Sequence, residues 1–283
     1  MSVKSLEIRA MFQKYDDIRD AGLTDPPGIC RFDDIQYGSD PVWNKLDVYR
    51  PADAVGKLPV IVSFHGGAWV YGDKERYQYY CMELAQQGFA VVNYTYRLAP
   101  EFQFPAPLED TNLVFARILE HAEEYGLDTA HIFGVGDSAG AQGIALYACM
   151  LTNPEYAALF PFKAPEGLRL QAVALNCGLY STETPLDSYE DFLETPEDLQ
   201  KLEVLRYVNK DFPPAFVMTC NEDFLLHEPE YLLPVLERLG IPYQYRFCGT
   251  DELRLGHVFH CDIRKEAAKQ INNDECEFFH SLL

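Results

Sequence analysis

Nowhere in the 283 residues do about eighteen apolar residues follow one another, the length a helix needs to cross a bilayer. No transmembrane helix is therefore expected. The opening Met1-Ser2-Val3-Lys4-Ser5-Leu6-Glu7 lacks the apolar stretch of a signal peptide, so a cytoplasmic location is the expectation. No two cysteines stand as C-x-x-C, which removes the common zinc and redox motifs. The eight cysteines are scattered, several at the ends of apolar strands or inside helices, and read as buried free thiols of a reducing compartment. Basic residues are scarce: 23 Lys and Arg face 44 Asp and Glu, a net charge of −21. That balance argues against nucleic acid and anionic membranes as partners and suits uncharged or cationic small substrates, although solubility alone accounts for it. There is no internal repeat and no low-complexity run. Apolar residues are not lacking. At 48% they suffice for one large α/β core in a chain of this length.

Two short segments carry the chemistry. Gly136-Asp137-Ser138-Ala139-Gly140 is a G-x-S-x-G sequence, in which the glycines let a strand turn sharply into a helix and leave the serine hydroxyl exposed. Its flanks fit: Ala130–Val135 reads as a buried strand, and Ala141–Met150 as a buried helix. About seventy positions upstream, after the apolar strand Leu58–Phe64, stands His65-Gly66-Gly67-Ala68-Trp69. Backbone N–H groups of such a loop can face a developing oxyanion. Either segment alone is weak; together they predict acyl transfer at Ser138. Gly66, Gly67, Ala68 and Ala139 are the expected oxyanion donors.

A serine nucleophile needs a base and an acid to orient it, and on this strand–turn–helix scaffold they follow in the order Ser, acid, His. Four of the seven histidines follow Ser138. His280 sits at a C-terminal helix end, and His227 opens a helix. Of the remaining two, His257 follows a flexible glycine, and His260 reads as a helix cap or a partly exposed side chain. His257 is the expected base. Asp223 follows the apolar strand Pro214–Cys220, at the rim where sites form on open α/β sheets, and is preferred over Glu222 as the acid. Trp69 and Tyr71, just past the glycine loop, and Asp137, beside the serine, are candidate substrate contacts. His65 reads as a structural support of its loop, and Cys261 as packing.

The pattern along the chain alternates β and α elements, which implies a mostly parallel sheet with helices on both faces. Residues about 4–19 repeat apolar side chains at helical spacing. Two antiparallel strands follow near 32–37 and 46–49. Strands are then expected near 59–64, 89–95, 130–135, 169–176, 215–220 and 242–248. Helices are expected near 74–87, 107–123, 139–151, 227–239 and 262–281. One insertion, residues 178–212, interrupts the alternation, with a helix starting at Thr195-Pro196. Connections this long are usually functional. With residues 1–30 it is expected to form a small cap roofing the pocket of one hydrolase domain spanning 1–283.

Four stretches together resemble the hormone-sensitive-lipase-like carboxylesterases of the α/β-hydrolase superfamily. They are His65–Trp69; Tyr96-Arg97-Leu98-Ala99-Pro100-Glu101 with Phe104–Asp110; Gly136–Gly140; and Asp223-x-Leu225 with His257. The resemblance frames the chain from about Asp47 onward. It implies an α/β-hydrolase fold, a Ser138–His257–Asp223 triad, no metal and no cofactor, and structural roles for Arg97 and Asp110. One departure stands out: Ala68 occupies the place of the family's usual third glycine, and a tighter wall there would favour small acyl groups.

The expected function is thus a serine esterase of short-chain, acetyl-type esters of small molecules, among them acetylated carbohydrates, with homodimer formation open. Three other readings compete: an esterase of aromatic, feruloyl-type esters; a peptidase of the prolyl-oligopeptidase type, disfavoured for want of a propeller domain; and a non-catalytic binding protein, which would ordinarily have lost a triad member. Fold alone does not choose among them.

Overall fold

Runs rich in β-branched and aromatic residues become eight strands of one sheet: β1 (Ile29–Gln36), β2 (Lys45–Pro51), β3 (Leu58–Phe64), β4 (Ala90–Tyr94), β5 (Leu127–Asp137), β6 (Ala172–Asn176), β7 (Ala215–Cys220) and β8 (Tyr243–Cys248). The computed structural model describes residues 1–283. Strand order is β1-β2-β4-β3-β5-β6-β7-β8. Only the β1–β2 and β2–β4 pairs are antiparallel; every later pair is parallel. Side chains of β3 alternate as the pleat demands. Val60, Val62 and Phe64 enter the larger core on one face of the sheet, and Ile61 enters the smaller core on the other.

The helices are α1 (Val3–Asp20), α2 (Lys74–Gln86), α3 (Ala106–Glu120), α4 (Ala122–Tyr125), α5 (Ala139–Thr152), α6 (Pro154–Ala157), α7 (Tyr189–Phe192), α8 (Val204–Tyr207), α9 (Glu228–Leu239) and α10 (Glu266–His280). Local chemistry sets their ends. The Ser2 hydroxyl accepts the Ser5 N–H at the start of α1, and the Asp73 carboxylate accepts the Arg76 N–H at the start of α2. The expected 107–123 helix divides at His121 into α3 and α4, the latter ending on Gly126 in a left-handed conformation. β5 starts earlier than the pattern suggested because Leu127 and Asp128 already pair with Leu58 and Pro59 of β3. The expected Thr195 helix is a 3₁₀ turn over Pro196–Leu202 followed by α8. The break falls at Glu203, whose carboxylate is drawn to the N–H and hydroxyl of Thr182.

The Arg97–Asp110 pair is structural. Asp110 is fully buried and accepts both the Arg97 N–H, at 2.7 Å, and its guanidinium, at 2.9 Å. No helix is long and apolar enough to cross a membrane. All eight cysteines are free thiols.

Candidate active site

Every expected catalytic residue sits at the C-terminal edge of the sheet. β3 runs into the 65–72 loop, β5 into Ser138, β7 into Asp223, and the segment after β8 carries His257. Parallel strands end together, so residues far apart in sequence meet on one rim. Ser138 occupies a strained turn between β5 and α5, with φ 53° and ψ −120°. Its own N–H donates to the Asn176 carbonyl at 2.9 Å, which fixes the turn. The elbow lies so close to the end of β3 that a Cβ on Gly140 would stand 2.1 Å from the Phe64 carbonyl oxygen.

Asp223 and His257 form a tight pair, with His257 Nδ1 2.7 Å from Asp223 Oδ1. The Asp223 carboxylate also accepts the Leu225 N–H and the Thr219 hydroxyl, each at 2.8 Å. Burial alone would push this carboxyl upward; the hydrogen bond and charge of His257, with the Leu225 and Thr219 donors, outweigh it and hold the group below its ordinary value. Glu222 points elsewhere and pairs with Arg254 at the surface. Ser138 and His257 line one cavity of about 650 Å³, as do Gly66, Gly67, Tyr71 and Asp137. Helix α1 contributes Met11, Phe12, Tyr15 and Ile18, and Tyr77, Phe224, Val258 and Phe259 complete the apolar lining.

The glycine loop is left-handed through three residues, with φ 120° at Gly67, 51° at Ala68 and 67° at Trp69. The N–H groups of Gly67 and Ala68 have no acceptor in the protein. The N–H of Ala139, at the first position of α5, has no intrahelical acceptor either. Gly66 differs. Its N–H donates to Asp137 Oδ1 and to the Tyr77 hydroxyl oxygen, both at 3.0 Å, so it is not available to an oxyanion.

Several expected contacts move. Trp69 does not line the cavity: it is fully buried, stacks on Phe192 at 4.6 Å and donates its indole N–H to Gln142 at 3.1 Å. The Ala68 methyl packs against the larger core, not on the cavity wall. Asp137 borders the cavity, but each of its oxygens already accepts a hydrogen bond, from Gly66 and from Tyr77. Burial raises its pKa to about 6 against the opposing effect of those donors and of His257. His260 is fully buried, not partly exposed, and burial lowers its pKa to about 3. His65 supports its loop: Nδ1 lies 2.7 Å from the Gly66 carbonyl oxygen and the ring stacks on Tyr96.

Of the expected roof, the N-terminal helix lines the cavity but the 178–212 segment does not. That segment instead buttresses: Asp191 accepts the Ser2 N–H and hydroxyl at the start of α1, and Phe192 lies under Trp69. The charged residues lining the cavity are of both signs, Arg19, Arg264 and Lys265 beside Asp16 and Asp262. Tyr77 and Phe224 escaped the sequence reading. Phe224 had a signal, its place next to Asp223, and its ring lies 4.2 Å from the His257 ring. Tyr77, one turn into α2, had none.

Residues 46–229 match the family model described as BD-FAE. The chain belongs to the BD-FAE family. It lies within the hormone-sensitive-lipase-like carboxylesterases of the α/β-hydrolase superfamily, as its motifs indicated. Esterase LipC of Mycobacterium tuberculosis is 30% identical over 210 residues, 68% of this chain and 51% of LipC. The versiconal hemiacetal acetate esterase of Dothistroma septosporum is 27% identical over 223 residues, 71% of this chain and 67% of that protein. The chain thus spans about half to two thirds of the length of these relatives. The crystal structure of esterase B from Lactobacillus Rhamnosis superposes with a TM-score of 0.90 at 25% identity, covering 99% of this chain and 94% of that one. The same esterase has been solved inhibited by a C4-C4 tributyrin phosphonate, and that structure has a TM-score of 0.89 to this chain.

Proposed function

We propose that this BD-FAE family member is a serine carboxylesterase of short-chain esters, acetyl to butyryl, working through an acyl-enzyme on Ser138. The observation that carries the reading is that His257, paired with the buried Asp223, lines the same cavity as Ser138 on its strained elbow. In this mechanism Ser138 Oγ attacks the ester carbonyl as His257 takes its proton, and Asp223 orients the imidazole and stabilises its cation. The N–H groups of Gly67, Ala68 and Ala139 receive the oxyanion at the positive end of α5. His257 then protonates the departing alcohol, and water releases the acid.

Acyl length rests on similarity, because neither Ala68 nor the 178–212 segment borders the cavity. One relative is named a versiconal hemiacetal acetate esterase, and esterase B has been solved inhibited by a C4-C4 tributyrin phosphonate. The apolar wall from α1 suits an apolar alcohol group, since pockets draw affinity from buried apolar area. Acetylated sugars gain less from such a wall. The aromatic-ester reading keeps one specific support: Phe12, Tyr15, Tyr71 and Phe224 offer rings on which an aromatic acid can pack.

A series of p-nitrophenyl esters from acetyl to decanoyl, with acetylated sugars and a feruloyl ester added, tests both. The kcat/KM should peak at butyryl or below, and a peak at octanoyl or longer would overturn the chain-length assignment. Ser138→Ala should lose about 10³-fold or more in kcat while keeping its melting temperature, and Asp223→Asn should lose more than Glu222→Gln. Organophosphate labelling at any serine other than Ser138 would refute the nucleophile.

A further inference from the structure

The Tyr77 side chain closes a small ring of hydrogen bonds behind the oxyanion loop. Its hydroxyl donates to Asp137 Oδ2 at 2.8 Å, and its oxygen accepts the Gly66 N–H at 3.0 Å. Asp137 Oδ1 accepts that same N–H at 3.0 Å. Three groups from three parts of the chain therefore meet on one peptide: the loop after β3, the first turn of α2 and the end of β5. All are shielded, with Tyr77 6% and Asp137 3% exposed. The site leaves room for nothing else, since a Cβ on Gly66 would stand 2.7 Å from Asp137 Oδ2 and 3.1 Å from the Tyr77 oxygen.

Two residues further on, the geometry acquires a purpose. The loop runs through successive left-handed residues at Gly67, Ala68 and Trp69, a conformation L-residues avoid unless their surroundings impose it. Fixing the Gly66 peptide fixes the direction in which the next peptides leave it. The Gly67 and Ala68 N–H groups are the ones left without an acceptor. A donor aimed in advance costs no reorganisation when charge develops, and a few tenths of an ångström of drift weakens it.

We propose that Tyr77 is a positioning residue, which holds the Gly66 peptide jointly with Asp137 and so aims the unpaired N–H groups of Gly67 and Ala68 at the oxyanion. This rests on the esterase reading above. Tyr77 also borders the cavity, but its hydroxyl is taken up by Asp137 and the Gly66 N–H, so its effect reaches the reaction through the backbone of the loop. Losing its hydroxyl should therefore lower the stabilisation of the tetrahedral intermediate without changing how the ester binds.

The test is Tyr77→Phe, which keeps the ring. On p-nitrophenyl butyrate, kcat should fall about 10- to 100-fold, less than the loss of a whole donor, with KM within about twofold. Binding of an alkyl trifluoromethyl ketone, whose adduct carries the oxyanion, should weaken by the same factor as kcat. A double-mutant cycle separates this from a loss of packing: in an Asp137→Ala background, Tyr77→Phe should cost little more, because both act on one peptide. A kcat within twofold of wild type, a loss confined to KM, or fully additive losses would overturn the positioning role while leaving the esterase reading intact. Persistent hydrolysis in Ser138→Ala would remove both.

Discussion

At the scale of single residues, buried carboxyls near Ser138 tie stability to pH. Glu275 is 1% exposed and accepts from Asn176 at 2.6 Å and from the Tyr80 hydroxyl at 3.1 Å. Burial raises its pKa from 4.5 to about 7, against the pull of those two donors. A raised folded-state pKa means that the native protein holds the proton longer than the unfolded chain. The stability this gives is fully present below pH 4.5 and is lost as pH rises through about 7. Asp137, raised to about 6, adds a contribution of the same sign between pH 3.8 and about 6. Glu275→Gln should remove the Glu275 part. Urea unfolding at pH 5 and pH 8 should show wild type losing about 2 kcal/mol more than the variant across that interval. Equal losses would show that Glu275 is ionised at no cost. Its place matters, because Asn176, which donates to Glu275, also accepts the Ser138 N–H through its carbonyl.

Among the elements, α1 has an unusual attachment. Only Ser5 of its side chains is buried, while Leu6, Met11, Tyr15 and Ile18 are exposed. Polar ties hold it instead. Arg9 donates to the Val70 carbonyl at 2.6 Å, to the Ala99 carbonyl at 2.7 Å and to Glu101 at 2.7 Å. The Tyr71 hydroxyl donates to Asp16 at 3.0 Å, and Asp17 pairs with Arg76. The roof of the cavity is thus fastened by charge-assisted hydrogen bonds worth about 1.5–3 kcal/mol each where they are shielded, and by little apolar packing. Arg9→Ala should loosen the helix and raise KM about tenfold, with kcat changed less, because α1 supplies cavity wall and no reacting group. Michaelis curves for the variant decide this, and an unchanged KM would mean that α1 stays seated without Arg9. The 178–212 segment plays the complementary part from outside, holding the start of α1 through Asp191.

For the whole molecule, the net charge of −21 sets the response to salt. Like charges crowded onto one compact body repel, and ions screen that repulsion over a Debye length. Raising NaCl from about 0.02 M to about 0.3 M should raise the melting temperature of the wild type. The same salt should weaken the exposed ties of α1 and raise KM. The two effects have opposite senses, so scanning calorimetry and kinetics on the same samples separate global from local electrostatics. A melting temperature that falls with salt would show that ion pairs outweigh net repulsion in this fold.

The sequence by itself determined the plan of the sheet, because the pattern of apolar residues and the turn chemistry of Gly136–Gly140 act locally. It also identified Ser138 and Asp223 as candidates, since each lies just past a strand end that the pattern locates, and His257, which stood out among the four later histidines by the glycine before it. Tertiary structure alone decided which neighbours serve the site. Trp69 follows the glycine loop in the chain, yet the left-handed turn at Ala68 and Trp69 sends its ring inward against Phe192. Gly66 belongs to the His-Gly-Gly motif expected to hold an oxyanion, yet a tyrosine eleven residues on and an aspartate seventy-one residues on share its N–H. The length of the 178–212 insertion suggests that it shares the roof with the N-terminal helix; of the two, only α1 lines the cavity. Such outcomes depend on where a side chain can reach across the finished fold, and no local pattern of polarity or spacing encodes that distance.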